Sequence, residues 1–162
     1  MRHKAFLILG GLALIAAAAP ASARERIAVF GDWGAFRDSA PVCYAIAEPA
    51  EPSTGNYQPF VTVSFWPKRG IARQVHVRLS RIARANARVT LSVGDSTFVL
   101  AARGPDAWGN DRLADAYIVA AMRSGSSMSI QSIGPLGEFT DVYRLRGAAS
   151  AIDAAALDCR GR

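Results

Sequence analysis

Only two cysteines occur in the chain, Cys43 and Cys159, and the second lies three residues from the end. Joined, they would close most of the protein into one loop, so whether they pair constrains the fold more than any local propensity. The answer depends on compartment, and residues 1–23 speak to that. They read MRHKAFLILGGLALIAAAAPASA, with basic Arg2 and Lys4, an apolar run over residues 5–19 and the small residues Ala21 and Ala23 flanking Ser22. This is the pattern of a secretory signal peptide cleaved after Ala23. Its apolar run falls short of the ~20 residues a membrane-spanning helix needs, and no cysteine follows the cleavage point to carry a lipid anchor. Export delivers both cysteines to surroundings where disulfides persist. A Cys43–Cys159 bridge is therefore expected, worth about 4 to 5 kcal/mol for a loop this long.

Removing the leader leaves residues 24–162 as a single domain with 17 basic and 13 acidic side chains, a formal charge of +4. A chain of that size buries enough apolar surface to fold without further staples. It contains no second apolar stretch long enough to cross a membrane. The expected product is periplasmic or secreted.

Periodicity predicts a mainly β fold. Residues 27–33 read as an opening strand broken at Gly31-Asp32, and residues 42–47, which carry Cys43, as a second. Residues 48–59 are rich in Pro, Ser and Gly and form a loop, either a mobile tip or a contact surface. Residues 60–66 are the strongest strand candidate. After the turn at residues 67–70, Val75, Val77 and Leu79 alternate with His76, Arg78 and Ser80, which predicts one buried and one wet face. Residues 89–93 and 98–102 flank a Gly94-Asp95 turn as a hairpin. Residues 103–110 read as a loop carrying Trp108.

Two helices complete the pattern. Asn110 or Asp111 can cap a mid-chain helix whose apolar stripe is Leu113, Tyr117, Ala120 and Ala121, with Arg123 in its last turn and Gly125 as its stop. Residues 126–133 and 139–145 then form a second hairpin around Gly134-Pro135-Leu136-Gly137. Ser150-Ala151-Ile152-Asp153 resembles a capping box opening a short C-terminal helix, with Ile152, Ala155, Ala156 and Cys159 on its inner face.

Reactive groups are sparse. After the leader one histidine remains, His76, so no His/Cys set for zinc exists, and Asp106, Asp111 and Asp115 lack the spacing of a calcium loop. Gly94-Asp95-Ser96 reads as turn chemistry rather than a nucleophile block, and neither a GxSxG elbow nor a glycine-rich nucleotide loop is present. No catalytic residue, metal or cofactor is assigned. The basic series Lys68, Arg69, Arg73, Arg78, Arg81, Arg84 and Arg88 has no acidic residue among it. It is either a surface for an anionic partner, such as lipid headgroups or a wall polymer, or an ordinary solvated face; nucleic acid does not suit an exported protein. Of Trp33, Trp66 and Trp108, at least two are expected in the core, and Trp108 is the candidate exposed aromatic.

In order along the chain stand Trp33, Cys43-Tyr44-Ala45 with Pro49, Phe98 to Leu100 with Ala107-Trp108, and Met122 with Gly125. Gly137, Thr140-Asp141, Tyr143-Arg144-Leu145-Arg146-Gly147, Ala151-Ile152 and Cys159 follow. In this order the chain resembles the invasion-associated locus B family of small exported bacterial proteins, over nearly all of residues 24–162. It departs from the family pattern at Leu136-Gly137-Glu138, at Arg144 and in the basic residues 73–84. The resemblance implies a β-sandwich, immunoglobulin-like, with appended helices and an envelope location, and it carries over no catalytic residues. The leading expectation is a non-enzymatic envelope interaction or accessory protein. The alternatives are a small envelope enzyme acting on a wall or lipid substrate, and a carrier of a small apolar ligand.

Overall fold

The computed structural model describes residues 24–38 and 42–160; residues 1–23, expected to be a signal peptide, lie outside the described residues. The described residues form ten antiparallel strands, two α-helices and one short 3-10 turn, Pro67–Arg69. The strands are β1 (Glu25–Phe30), β2 (Trp33–Asp38), β3 (Val42–Ala47), β4 (Phe60–Trp66), β5 (Ile71–Arg78), β6 (Val89–Val93), β7 (Ser96–Arg103), β8 (Asp106–Trp108), β9 (Ser127–Gly134) and β10 (Gly137–Arg144). The helices are α1 (Arg112–Ser124) and α2 (Ala148–Arg160).

Hydrogen bonds run through all ten strands in the order β1-β2-β3-β4-β5-β8-β7-β6-β9-β10. The hinge of this ladder is β7. Its first half, residues 96–100, pairs with β6, and its last three residues pair with β8. The far ends of the ladder then meet. The amide of Asp32, in the β1–β2 turn, donates to the carbonyl of Arg146 just past β10 (3.0 Å), and the Asp32 carboxylate pairs with the Arg146 guanidinium.

Where side chains alternate cleanly, burial follows. Val75 and Val77 are buried on β5, Met128, Ile130 and Ser132 on β9, and Phe139, Asp141 and Tyr143 on β10. The Gly94-Asp95 turn closes the β6–β7 hairpin, with Val93 opposite Ser96. Residues 48–59 form the expected loop, fastened by Ala50 N–H to the Val142 carbonyl of β10 (2.7 Å) and Tyr57 N–H to the Ser80 carbonyl (3.2 Å). It is thus tied to the sheet rather than a free tip.

Several local expectations require correction. The opening strand ends at Phe30, and Trp33, expected to close it, instead begins β2, which forms a hairpin with β1 around Gly31, whose φ of 57° suits the first position of a two-residue turn. Residues 106–108, expected in a loop, form β8 because β5 and β7 pair with them from both sides. Ser80 is buried rather than wet, its N–H donating to the carboxylate of Asp141 (3.0 Å).

Asp111 caps α1, accepting from Ala114 N–H at 2.8 Å, but the helix buries the face of Asp115, Ile118, Val119 and Met122 and leaves Leu113 and Tyr117 exposed. Gly125 ends it with an extended backbone. Its lack of a side chain matters because a Cβ there would come within 2.4 Å of Val93 Cγ1. The C-terminal helix is as long as the first and begins at Ala148, so Ser150 lies inside its first turn and forms no capping box. Its buried face is Ala148, Ala151, Ile152, Ala155 and Cys159; Ala156 is only half-buried.

Cys159 is bonded to Cys43 on β3, with Cα atoms 5.8 Å apart. Among the tryptophans only Trp33 is fully buried. Trp66 and Trp108 are half-buried at the surface, which corrects the expectation of two core indoles and of an exposed Trp108.

Candidate functional site

Both helices lie against the sheet, and between them runs a groove of about 700 Å³. Phe65 at the end of β4, Ile71 at the start of β5 and Ile152 of α2 contribute its apolar lining. Ala116 and Ala120 of α1 and Ala156 of α2 are too small to fill the space between the walls. Arg73, Arg123 and Arg160 stand around it, with Asp153 as the only acidic lining residue among those described.

Each wall is fixed by polar bonds. On α1, the carboxylate of Asp115 points into the protein and accepts the N–H of Val75 on β5 at 3.1 Å. Burial raises the pKa of this group, opposed by the Val75 N–H and reinforced by the charge of Asp111. Gly109 makes room for it, since a Cβ at that position would lie 2.2 Å from Asp115 Oδ1. The α2 wall is held by the Cys43–Cys159 bond and by a bidentate pair from Arg37 Nη1 of β2 to Asp158, at 2.7 and 2.8 Å. Arg37 also pairs with Glu25 of β1.

Across the groove the two walls are linked. Arg123 of α1 and Asp153 of α2 form a fork-to-fork pair at 2.9 and 2.7 Å. The Arg123 guanidinium lowers the Asp153 pKa, and Asp153 raises that of Arg123 in return. One of the three lining arginines is thereby neutralised.

The floor contains an irregularity. Ser64 pairs with Gln74 and Trp66 with Ile71, so Phe65 alone faces two residues of β5, Ala72 and Arg73. This is a β-bulge, and Arg73 within it has φ 60°. That left-handed conformation is one glycine adopts freely and an arginine only at a cost of about 1–2 kcal/mol.

The basic series predicted from sequence does not gather on one face. Arg73 reaches the groove, with Lys68 and Arg69 exposed on the turn before β5 and Arg69 stacked 4.7 Å over the Trp66 ring. Arg78, at the opposite end of β5, has its Nε 2.8 Å from Asp106 Oδ1. Arg81 donates to Thr54 Oγ1 at 2.9 Å, while Arg84 and Arg88 border a different hollow beside β6 and β7. Trp108 stacks on His76 with centroids 5.3 Å apart, and His76 Nε2 hydrogen-bonds Asp106 Oδ1 at 2.8 Å. Aromatic and charged groups there are satisfied by one another.

Sequence reasoning missed Arg123, Asp153 and Arg160 as a set, because they become neighbours only when the helices pack. One signal was legible: Asp115 occupies the i position of the i, i+3, i+4, i+7 row completed by Ile118, Val119 and Met122. A carboxylate heading an apolar stripe implies a buried partner.

Fold and site together define an antiparallel β protein, closed by one disulfide, that presents a groove between two helices. No family model, curated protein or solved structure matches the chain.

Proposed function

We propose that the protein is an exported, envelope-associated interaction or accessory module, non-enzymatic, and that it takes its partner in the groove between α1 and α2. The observation that carries this reading is the groove itself: an apolar lining with an arginine rim, set between walls held by a disulfide, a buried carboxylate and two bidentate ion pairs. Preformed concave sites with a few placed charges are the usual build of binding surfaces. The Cys43–Cys159 bond is compatible with export, as is the finding that no helix among the described residues is long and apolar enough to cross a membrane. The resemblance to the invasion-associated locus B family supports the envelope location and a β-sandwich build, for which the change of partners along β7 supplies a place where the sheet can fold over.

A photo-crosslinking residue placed at exposed Ala120, in the groove, and another at exposed Leu136, in the β9–β10 turn, test the reading in a bacterium exporting the protein. A discrete adduct from position 120 that position 136 does not form is the expected result. Absence of any adduct at 120, or the same adducts at both, would sink it.

A further inference from the structure

Resting on the groove as binding site, we infer that its ligand is an acyl chain ending in a single anionic group, with the anion held by Arg73 and Arg160 and the chain lying along the alanine-lined trough. Three independent features converge on this. First, among the described residues Arg73 and Arg160 form no ion pair, whereas Arg123 is held by Asp153. The site therefore offers two cations that no described side chain holds in an ion pair, Arg160 acting on Asp153 only through its charge; that is enough for one carboxylate or phosphate and too few for a polyanion.

Second, Arg73 keeps a left-handed backbone inside a bulge that glycine would occupy without strain. Bulges re-aim side chains near binding sites, and backbone strain at an outlier is a pointer to function. A cation retained there despite its conformational cost is accounted for by what it meets in the groove.

Third, the apolar surface does not stop at the groove. Tyr117, 59% exposed, adjoins Ala116 and Ala120 on α1, and Leu157, 63% exposed, adjoins Ala156 on α2. Neither lines the groove itself, but each helix that walls it thus carries a large exposed apolar side chain next in sequence to a lining alanine. Shape and charge fit a long apolar body with one charged end better than a sugar or a folded protein surface.

Free fatty acids and anionic bilayer lipids share this chemistry, and the test separates them. Titration calorimetry of the purified protein with sodium dodecanoate, below its micellar concentration, is compared with dodecyltrimethylammonium, which has the same chain and the opposite charge. Phosphatidylglycerol and phosphatidylcholine vesicles form the second arm. Dodecanoate is expected to bind, with Arg73→Gly and Arg160→Gln each weakening it about tenfold and Ala120→Trp, which fills the trough, abolishing it.

Arg73→Gly should at the same time raise the melting temperature, a combination that a structural role for the arginine would not produce. Binding confined to phosphatidylglycerol vesicles, with the same dependence on the three variants, would support the inference and assign the source to bilayer lipid. Equal affinity for the cationic amphiphile, unchanged affinity in the variants, or no binding in either arm would overturn it. If Ala120→Trp does not fold, the two arginine variants still decide. A protein adduct at position 120 without dodecanoate or vesicle binding would leave the interaction module standing and remove only the acyl ligand.

Discussion

The indole Nε1 of Trp33 donates a hydrogen bond to the main-chain carbonyl of Arg144 at 2.9 Å, joining residues 111 positions apart. Trp33 is fully buried at the start of β2, and Arg144 ends β10, so the bond fastens the first hairpin of the ladder to its last strand. Trp33→Phe removes the donor, leaves that carbonyl without it and opens a small void. A loss of about 2–4 kcal/mol in unfolding free energy is expected by urea titration. A loss below about 0.5 kcal/mol would show that the contact is dispensable.

Bonding between β3 and the end of α2 closes a loop of 116 residues. Replacing both Cys43 and Cys159 by alanine should lower stability by about 4 kcal/mol, chiefly through the greater freedom of the unfolded chain. Thiol titration of the unfolded, unreduced protein should find no free cysteine.

Asp115 sets a pH dependence of a particular sign. Its folded pKa is raised above the ordinary 3.8, mainly by burial, so between 3.8 and the folded value the native state holds a proton that the unfolded state has released. Stability therefore falls as pH rises through that window and stays reduced above it. Asp153 acts in the opposite sense, because its lowered pKa makes its pairing with Arg123 fade on acidification; its exposure keeps that contribution small. Asp115→Asn keeps an oxygen for the Val75 N–H and should remove the decline above pH 3.8 in urea midpoints measured across pH. A pH profile unchanged by the substitution would refute the assignment. Asp115→Ala leaves the Val75 amide unpaired and should cost about 1–3 kcal/mol.

The hydroxyl of Tyr143 is buried on β10 with no hydrogen-bond partner among the described residues, and burial, reinforced by the charge of Asp141, pushes its pKa up. Removing an unsatisfied polar atom while keeping the ring should help the fold. Tyr143→Phe is expected to stabilise by about 1 kcal/mol. Destabilisation by a similar amount in thermal melts would mean that the hydroxyl is satisfied after all.

Strands with a strong period of two were legible from sequence, because one face is buried throughout: Val75 and Val77, or Met128, Ile130 and Ser132, name their own inner side. The residues of β2 gave no such signal, since Gly34 and Ala35 carry little β propensity and the strand is held by neighbours on both sides. The three residues of β8 are a strand only by virtue of β5 and β7. On α1, Leu113 and Tyr117 set an apolar period that competes with the true inner face of Ile118, Val119 and Met122, while Asp115, which anchors the helix, reads as a surface residue until its Val75 partner is seen. The pairing of the cysteines followed from the expectation of export, and the bond is present. The groove could not be read in advance, because its lining comes from three separated segments and much of it is alanine.

The bond from Ala50 N–H to the Val142 carbonyl has a further consequence for how copies of this chain can meet. It places the chain's own loop against the outer side of β10, the last strand of the ladder, where another molecule's strand would otherwise add. At the opposite end, exposed Glu25 and Arg26 stand on β1. A covering loop at one edge and charged side chains at the other both oppose growth of the sheet by addition of strands.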